Sequence, residues 1–296
     1  MKKRILLVVL AIILVCATAI GCSAKKEENS IVVGAKDYTE QDVLGNLLTL
    51  LISNNTDLKV SYVHEMSSNV LFAALQSGDV DVCSDYTGTI YANYLGYMDS
   101  KDAGEVYRVS VDDMKEKYGL LVLDPVGFNN TYCIAVRPDT AAEFGLRTFT
   151  DLANVSQDLI FGGGFEILNR IDGLPGVKEL YNMSFKQELA IESVLRYTAI
   201  ANDETQVTEA FSTDGMLMEY ELVVLEDDLN FFPPYQGVPV IRADTAAKYP
   251  ELLDVLAKLT GLLNDDSMRE LNYKVDVLKQ EPRSVAEGFL KEKGLI

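Results

Sequence analysis

Gly78-Asp79-Val80-Asp81-Val82-Cys83-Ser84-Asp85-Tyr86-Thr87-Gly88-Thr89 is the stretch on which the fold is decided. Gly78 stops the helical spacing that precedes it, Val80 to Val82 form a short strand, and that strand delivers an aromatic, Tyr86, into a turn. Reading back, Ser67 to Ser77 has the pattern of a helix and Leu58 to Val63 that of a strand. Before them, Val43, Leu44, Leu47, Leu48, Leu50 and Leu51 recur at helical spacing between Gln41 and Ser53, with Thr39 as the expected N-cap. Ile31 to Gly34 opens the series as a strand. A β-α-β-α-β order predicts a parallel sheet whose ligand face is formed by loops at the strand C-termini.

Reading forward, the plan recurs. Tyr132 to Val136 reads as a strand, Thr150 to Val155 as a short helix, Leu159 to Gly162 as a strand, and Gln187 to Tyr197 as mixed. Gln206 to Phe211 then delivers a second aromatic. Gly78 precedes Tyr86 by eight residues and Asp203 precedes Phe211 by the same eight, which suggests two lobes on one plan. After Tyr235 come a strand, Val238 to Arg242, and helical patterns over 244–248, 250–263, 265–274 and 284–293. We read this tail as returning to the first lobe, with crossovers near residues 128–131 and 230–235 punctuated by Asn129-Asn130 and Pro233-Pro234. Residues 31–130 plus 233–296 are then lobe 1 and 131–232 lobe 2, an α/β chain with a ligand cleft between the lobes. A separate third helical domain is the alternative.

The chain's start reads as an export signal over residues 1–21. Lys2, Lys3 and Arg4 form a basic head, and an apolar run from Ile5 to Ile20 ends at Gly21 and Cys22. The run is short for a membrane-spanning helix. Residues 22–30 read as a solvated tether. Of the 26 Lys and Arg, three lie in the signal, and none of the 45 Asp and Glu do, so its removal leaves a chain more acidic than the formal −19. That balance argues against a nucleic-acid partner, which needs clustered Lys and Arg. Cys83 and Cys133 lie in strand-like runs and read as small buried hydrophobes, an oxidised pair being the alternative.

Four aromatics stand where strands meet turns: Tyr86, Tyr132, Phe211 and Tyr235. A quaternary ammonium cannot donate a hydrogen bond, so a protein holds it with the negative faces of aromatic rings. Four converging rings would make such a box. Against this, the chain has one histidine, His64, and no Cys/His cluster for zinc. Gly162-Gly163-Gly164 lacks the Gly-Lys-Ser/Thr of a phosphate loop and reads as a flexible turn. No Ser-His-Asp constellation can be assembled. No enzyme and no cofactor are expected.

At these motifs the chain resembles the substrate-binding lipoproteins of osmoprotectant ABC importers, the quaternary-amine type that takes up glycine betaine, carnitine and choline. The resemblance covers nearly all of residues 31–296. It is carried by Gly34 to Gln41, Asp85 to Thr89, Gly127 to Tyr132, Asp172 to Gly176, Ala210 to Gly215, and Leu271-Asn272-Tyr273. It implies a two-lobed periplasmic-binding-protein-like fold and a trimethylammonium cage of Tyr86, Tyr132, Phe211 and Tyr235. Phe211 stands where many members have Tyr. It implies that Arg170 grips the ligand's carboxylate, with Lys36, Thr89 and Gln41 as further donors; a surface ion pair of Arg170 with Asp172 or Glu166 is the alternative. Thr89, where choline-restricted relatives tend to carry an acid, favours a betaine-like range. Ala19-Ile20-Gly21-Cys22 resembles a lipobox, with Ala19 where Leu is usual, and implies acylation of Cys22 and a lipid anchor on the outer face of the bacterial membrane. The implied partners are an ABC permease and its ATPase subunit.

Two rivals stand beside that reading. A binding protein for a polyamine or basic amino acid would aim carboxylates such as Asp85 or Asp214 into the cleft. An anchored hydrolase of small substrates would depend on one Ser or Asp.

Overall fold

A computed structural model of the chain describes residues 29–192 and 195–296. The expected signal peptide and its Cys22 therefore lie outside the described residues. The chain builds two five-stranded mixed sheets flanked by helices, one sheet to a lobe. The first contains β1 (Ser30–Lys36), β2 (Lys59–Met66), β3 (Val82–Tyr86), β4 (Leu120–Val122) and β10 (Gly237–Arg242), in the order β2-β1-β3-β10-β4. The second contains β5 (Tyr132–Val136), β6 (Ile160–Gly163), β7 (Gln187–Ala190), β8 (Val207–Phe211) and β9 (Val223–Leu225), in the order β7-β6-β8-β5-β9.

The expectation of a parallel sheet needs correction. β1 runs parallel to β3, but β10 pairs antiparallel with both β3 and β4. In the second sheet β6 is parallel to β7 and β8, while β5 is antiparallel to β8 and β9. The two sheets thus share one plan, with β3 and β8 in matching central positions. Gly78 and Asp203, the paired starts of the eight-residue echo, both adopt left-handed backbone, φ 87° and 63°. At Gly78 this closes the helix Ser68–Ser77, which Ser67 caps at its other end.

The helix Thr39–Asn55 buries twelve of its 17 residues, because it is covered by the first sheet on one side and by the C-terminal helices on the other. Leu47, Leu48, Leu51 and Ile52 are essentially inaccessible, and each contributes about 1.5–3 kcal/mol of burial energy. Thr39 is not its N-cap: Tyr38 holds that position, and the Thr39 hydroxyl donates instead to Asp276 at 2.5 Å. The final helix, Pro282–Glu292, packs on this same helix. Gly162 and Gly163 finish strand β6 and Gly164 precedes a short helix, where the sequence suggested a flexible turn. Cys83 and Cys133 are buried free thiols. No helix among the described residues is long and apolar enough to cross a membrane.

Candidate functional site

Strand ends and crossovers bring the aromatics together. Tyr86 closes β3 and Phe211 closes β8, each opposite the start of an antiparallel neighbour: Gly237 faces Tyr86 and Tyr132 faces Phe211. The two crossovers run side by side through a bridge between Asn129 and Gln236. There the Asn130 N–H donates to the Tyr235 carbonyl at 2.9 Å and the Tyr235 N–H to Asn129 Oδ1 at 2.7 Å. Tyr132 and Tyr235 are thereby set beside each other from chain segments a hundred residues apart.

Tyr132 is the hub of the cluster. Its centroid lies 5.1 Å from Phe211, 5.7 Å from Tyr235 and 5.6 Å from Phe232. Tyr38 stacks on Phe211 at 5.5 Å and 15°, adding a ring that the aromatic pattern did not single out. Tyr86 joins Tyr38, Tyr132, Phe211 and Tyr235 around a recess of about 30 Å³ that Arg170, Lys36 and Thr89 also line. The recess has room for about one water-sized group. It shares Lys36, Tyr38, Tyr132, Glu166 and Phe211 with an adjoining cavity of about 290 Å³. Burial pushes the Tyr86, Tyr132 and Tyr235 hydroxyls well above the usual phenol range, so the rings are neutral.

Three of the rings already have a protein cation over one face. Lys36 Nζ lies 5.2 Å from the Tyr86 centroid, Arg170 Cζ 5.8 Å from Tyr132, and Arg196 Cζ 5.4 Å from Phe211. Each cation is matched by an acid: Lys36 by Asp85 at 2.6 Å, Arg170 by Asp172 at 2.5 Å, and Arg196 by Asp214 at 3.1 Å.

Of the expected carboxylate-end residues, Lys36, Thr89 and Arg170 line the recess, and Gln41 does not. Gln41 instead donates to the Tyr86 hydroxyl at 3.1 Å. Arg170 is buried rather than on the surface. It holds Asp172 with Nε and Nη2 and directs Nη1 to Glu166 and to Ser68 Oγ, at 3.0 and 3.3 Å. Asp85 is held by Lys36 and Tyr94 on its two oxygens, and Asp214 by Arg196, Tyr197 and the Phe211 N–H, all on Oδ2.

Two residues link elements in ways that the sequence did not announce. Glu166, before the Arg170 turn, accepts from Ser68 N and Oγ at 2.6 and 2.8 Å, bridging the lobes. Glu40, beside Gln41, receives four side chains: Tyr86 Oη and Asn130 Nδ2 on Oε1, Thr213 Oγ1 and Asn272 Nδ2 on Oε2, all at 2.5–2.9 Å.

Comparison with known proteins agrees with this architecture. Residues 29–292 match the family described as the substrate binding domain of ABC-type glycine betaine transport system. An ergothioneine transport permease/ergothioneine binding protein of Helicobacter pylori is 35% identical over 274 residues, 91% of this chain, and the chain spans about half (48%) of that relative's length. A carnitine transport binding protein of Listeria monocytogenes is 34% identical over 276 residues, covering 92% of this chain and 89% of its own. A crystal structure of a glycine betaine/carnitine/choline ABC transporter superposes with a TM-score of 0.72 at 33% identity, over 90% of this chain and 99% of that one. Together with the two-sheet plan, these matches mean that the chain belongs to the family of substrate-binding domains of ABC-type glycine betaine transport systems.

Proposed function

We infer that this protein captures a quaternary-amine solute, such as glycine betaine, carnitine or choline, outside the cytoplasm and hands it to an ABC permease with its ATPase subunit. It is not an enzyme in this reading. Residues 22–30 act as a tether and Cys22 as its lipid attachment; the lobes divide at 31–130 plus 233–296 and 131–232. The observation that carries the reading is the convergence of Tyr86, Tyr132, Phe211 and Tyr235, from both sheets and one crossover, on one recess. Each ring contact with a methylated cation is worth about 0.5–2 kcal/mol. Several together support micromolar affinity, about −8 kcal/mol, after the cost of immobilising the ligand. The recess is too tight for a trimethylammonium as it stands, so entry requires the lobes to part and re-close on the ligand. Lys36, Thr89 and Arg170 would meet the ligand's carboxylate. Gln41 would act through Tyr86.

The adjoining cavity favours a second, narrower reading. Glu166, Glu192 and Glu209 line it, which suits a betaine whose far end carries N–H groups, as ergothioneine does. Calorimetry with glycine betaine, carnitine, choline, proline betaine and ergothioneine ranks these readings. Replacing Tyr132 by Ala is expected to weaken the preferred ligand at least about tenfold, since it removes the ring that packs against both Phe211 and Tyr235. Unchanged affinity in that variant would remove the cage from the account.

A further inference from the structure

Glu40 is a carboxylate buried behind the cage, 2% exposed, and it does not line the recess. Its surroundings set it apart from three aspartates nearby. Asp85, Asp172 and Asp214 each face a Lys or Arg. The four side chains that meet Glu40 are neutral: two hydroxyls and two amides. Each of its oxygens receives one amide N–H, a group that can only donate, together with one hydroxyl, so an ionised carboxylate finds donors on both oxygens. Burial pushes the carboxyl up, and the bonds from Thr213, Tyr86, Asn272 and Asn130 offset that rise only in part. A buried charge facing no cation is costly unless something repays it. One of its bonds leads directly to the cage, because Tyr86 donates its hydroxyl hydrogen to Oε1 at 2.7 Å. A phenol that donates to a carboxylate shifts electron density into its ring and deepens the negative ring face.

We propose that Glu40 supplies the negative charge by which the cage selects a methylated ammonium over a neutral group of the same shape, acting through Tyr86 without touching the ligand. It is a positioning and charge-tuning residue rather than a contact residue. The proposal rests on the quaternary-amine reading above. Its reach extends to both lobes, since Thr213 follows the strand that ends in Phe211 while Asn130 lies on the crossover. The counter-charge is therefore assembled together with the cage as the lobes meet.

The test compares glycine betaine with 3,3-dimethylbutyrate, which keeps the carboxylate and the three methyl groups but replaces the cationic nitrogen by carbon. Titrations of the purified protein and its Glu40→Gln variant give four dissociation constants. Glu40→Gln is expected to weaken glycine betaine at least about tenfold and the carbon analogue less than about threefold, because only the first ligand carries the charge that Glu40 opposes. Tyr86→Phe keeps the ring and cuts the hydroxyl link. It should lower the same discrimination ratio by about threefold, and it carries the test if the Glu40 variant does not fold. Equal losses for both ligands would make Glu40 a purely structural prop and overturn the proposal, as would an unchanged ratio in both variants. A wild-type protein that binds no quaternary amine would instead defeat the underlying functional reading.

Discussion

At the scale of the residue, Arg170 shows how one side chain is committed before any ligand arrives. Its fork lies on Asp172, which is fully buried and also receives the Tyr235 hydroxyl at 2.8 Å. Replacing Arg170 by Met would leave that carboxylate buried without its cation, and the expected loss is about 3–5 kcal/mol of folding stability, measured by urea denaturation without ligand. A loss below about 1 kcal/mol would mean that Asp172 is satisfied without the guanidinium. The aromatic members of the site were legible in the sequence because each stands at punctuation: Asp85-Tyr86-Thr87-Gly88, Asn130-Thr131-Tyr132, Phe211-Ser212-Thr213, Pro234-Tyr235. Tyr38 and Glu40 lie in a quoted motif as well, yet nothing local marks them. Tyr38 meets Phe211, and Glu40 meets Thr213 and Asn272, only after chain segments more than 170 residues apart have folded together.

At the scale of the element, the turn after β3 depends on Gly88. A Cβ added there would stand 2.6 Å from Tyr235 Cδ1, and Tyr235 is itself only 2% exposed. The ring must therefore move, and Gly88→Ala is expected to weaken binding by about tenfold while costing about 1–3 kcal/mol of stability through overpacking. Calorimetry alongside thermal melting separates the two effects; a variant that binds normally would show that the Tyr235 ring tolerates displacement. The strands β1, β2 and β3 were readable since each apolar run is bounded by a turn signal, whereas the three-residue β4 was not. The helix Ala103–Tyr118 was not foreseen. It buries Val106, Ser110 and Met114, one residue in four with a serine among them, so its apolar stripe is too thin to register as periodicity. The antiparallel place of β10 was equally hidden, because its pairing with β3 joins residues over 150 apart and no local pattern encodes direction.

At the scale of the whole molecule, the helices Thr39–Asn55 and Asp265–Asp276 are clamped together beside the site. Asn272 reaches Glu40, and Thr39 donates to Asp276, both acceptor and donor lying at the seam between the N-terminal helix and Asp265–Asp276. This closure makes stability sensitive to protons in a definable window. Burial pushes the Asp276 carboxyl up to about 6, with Asp214 adding to the effect and the Thr39 bond opposing it. In the unfolded chain the same group titrates near about 3.9. The folded form therefore binds the proton more tightly, so its contribution to stability is fully present below about pH 4 and is lost as pH rises through about 6. Glu40 and Glu209 are also raised by burial, so the wild-type slope alone cannot be assigned to one residue. The difference between wild type and Asp276→Asn can. Asparagine mimics the protonated acid at every pH and still offers Thr39 an acceptor. The variant's stability relative to wild type should rise by about 1–2 kcal/mol between pH 4 and pH 7, part of the full shift being screened at the partly open seam. Urea midpoints at pH 4, 5, 6 and 7 measure this directly, and a difference that stays constant across the series would show that Asp276 titrates alike in the folded and unfolded chain.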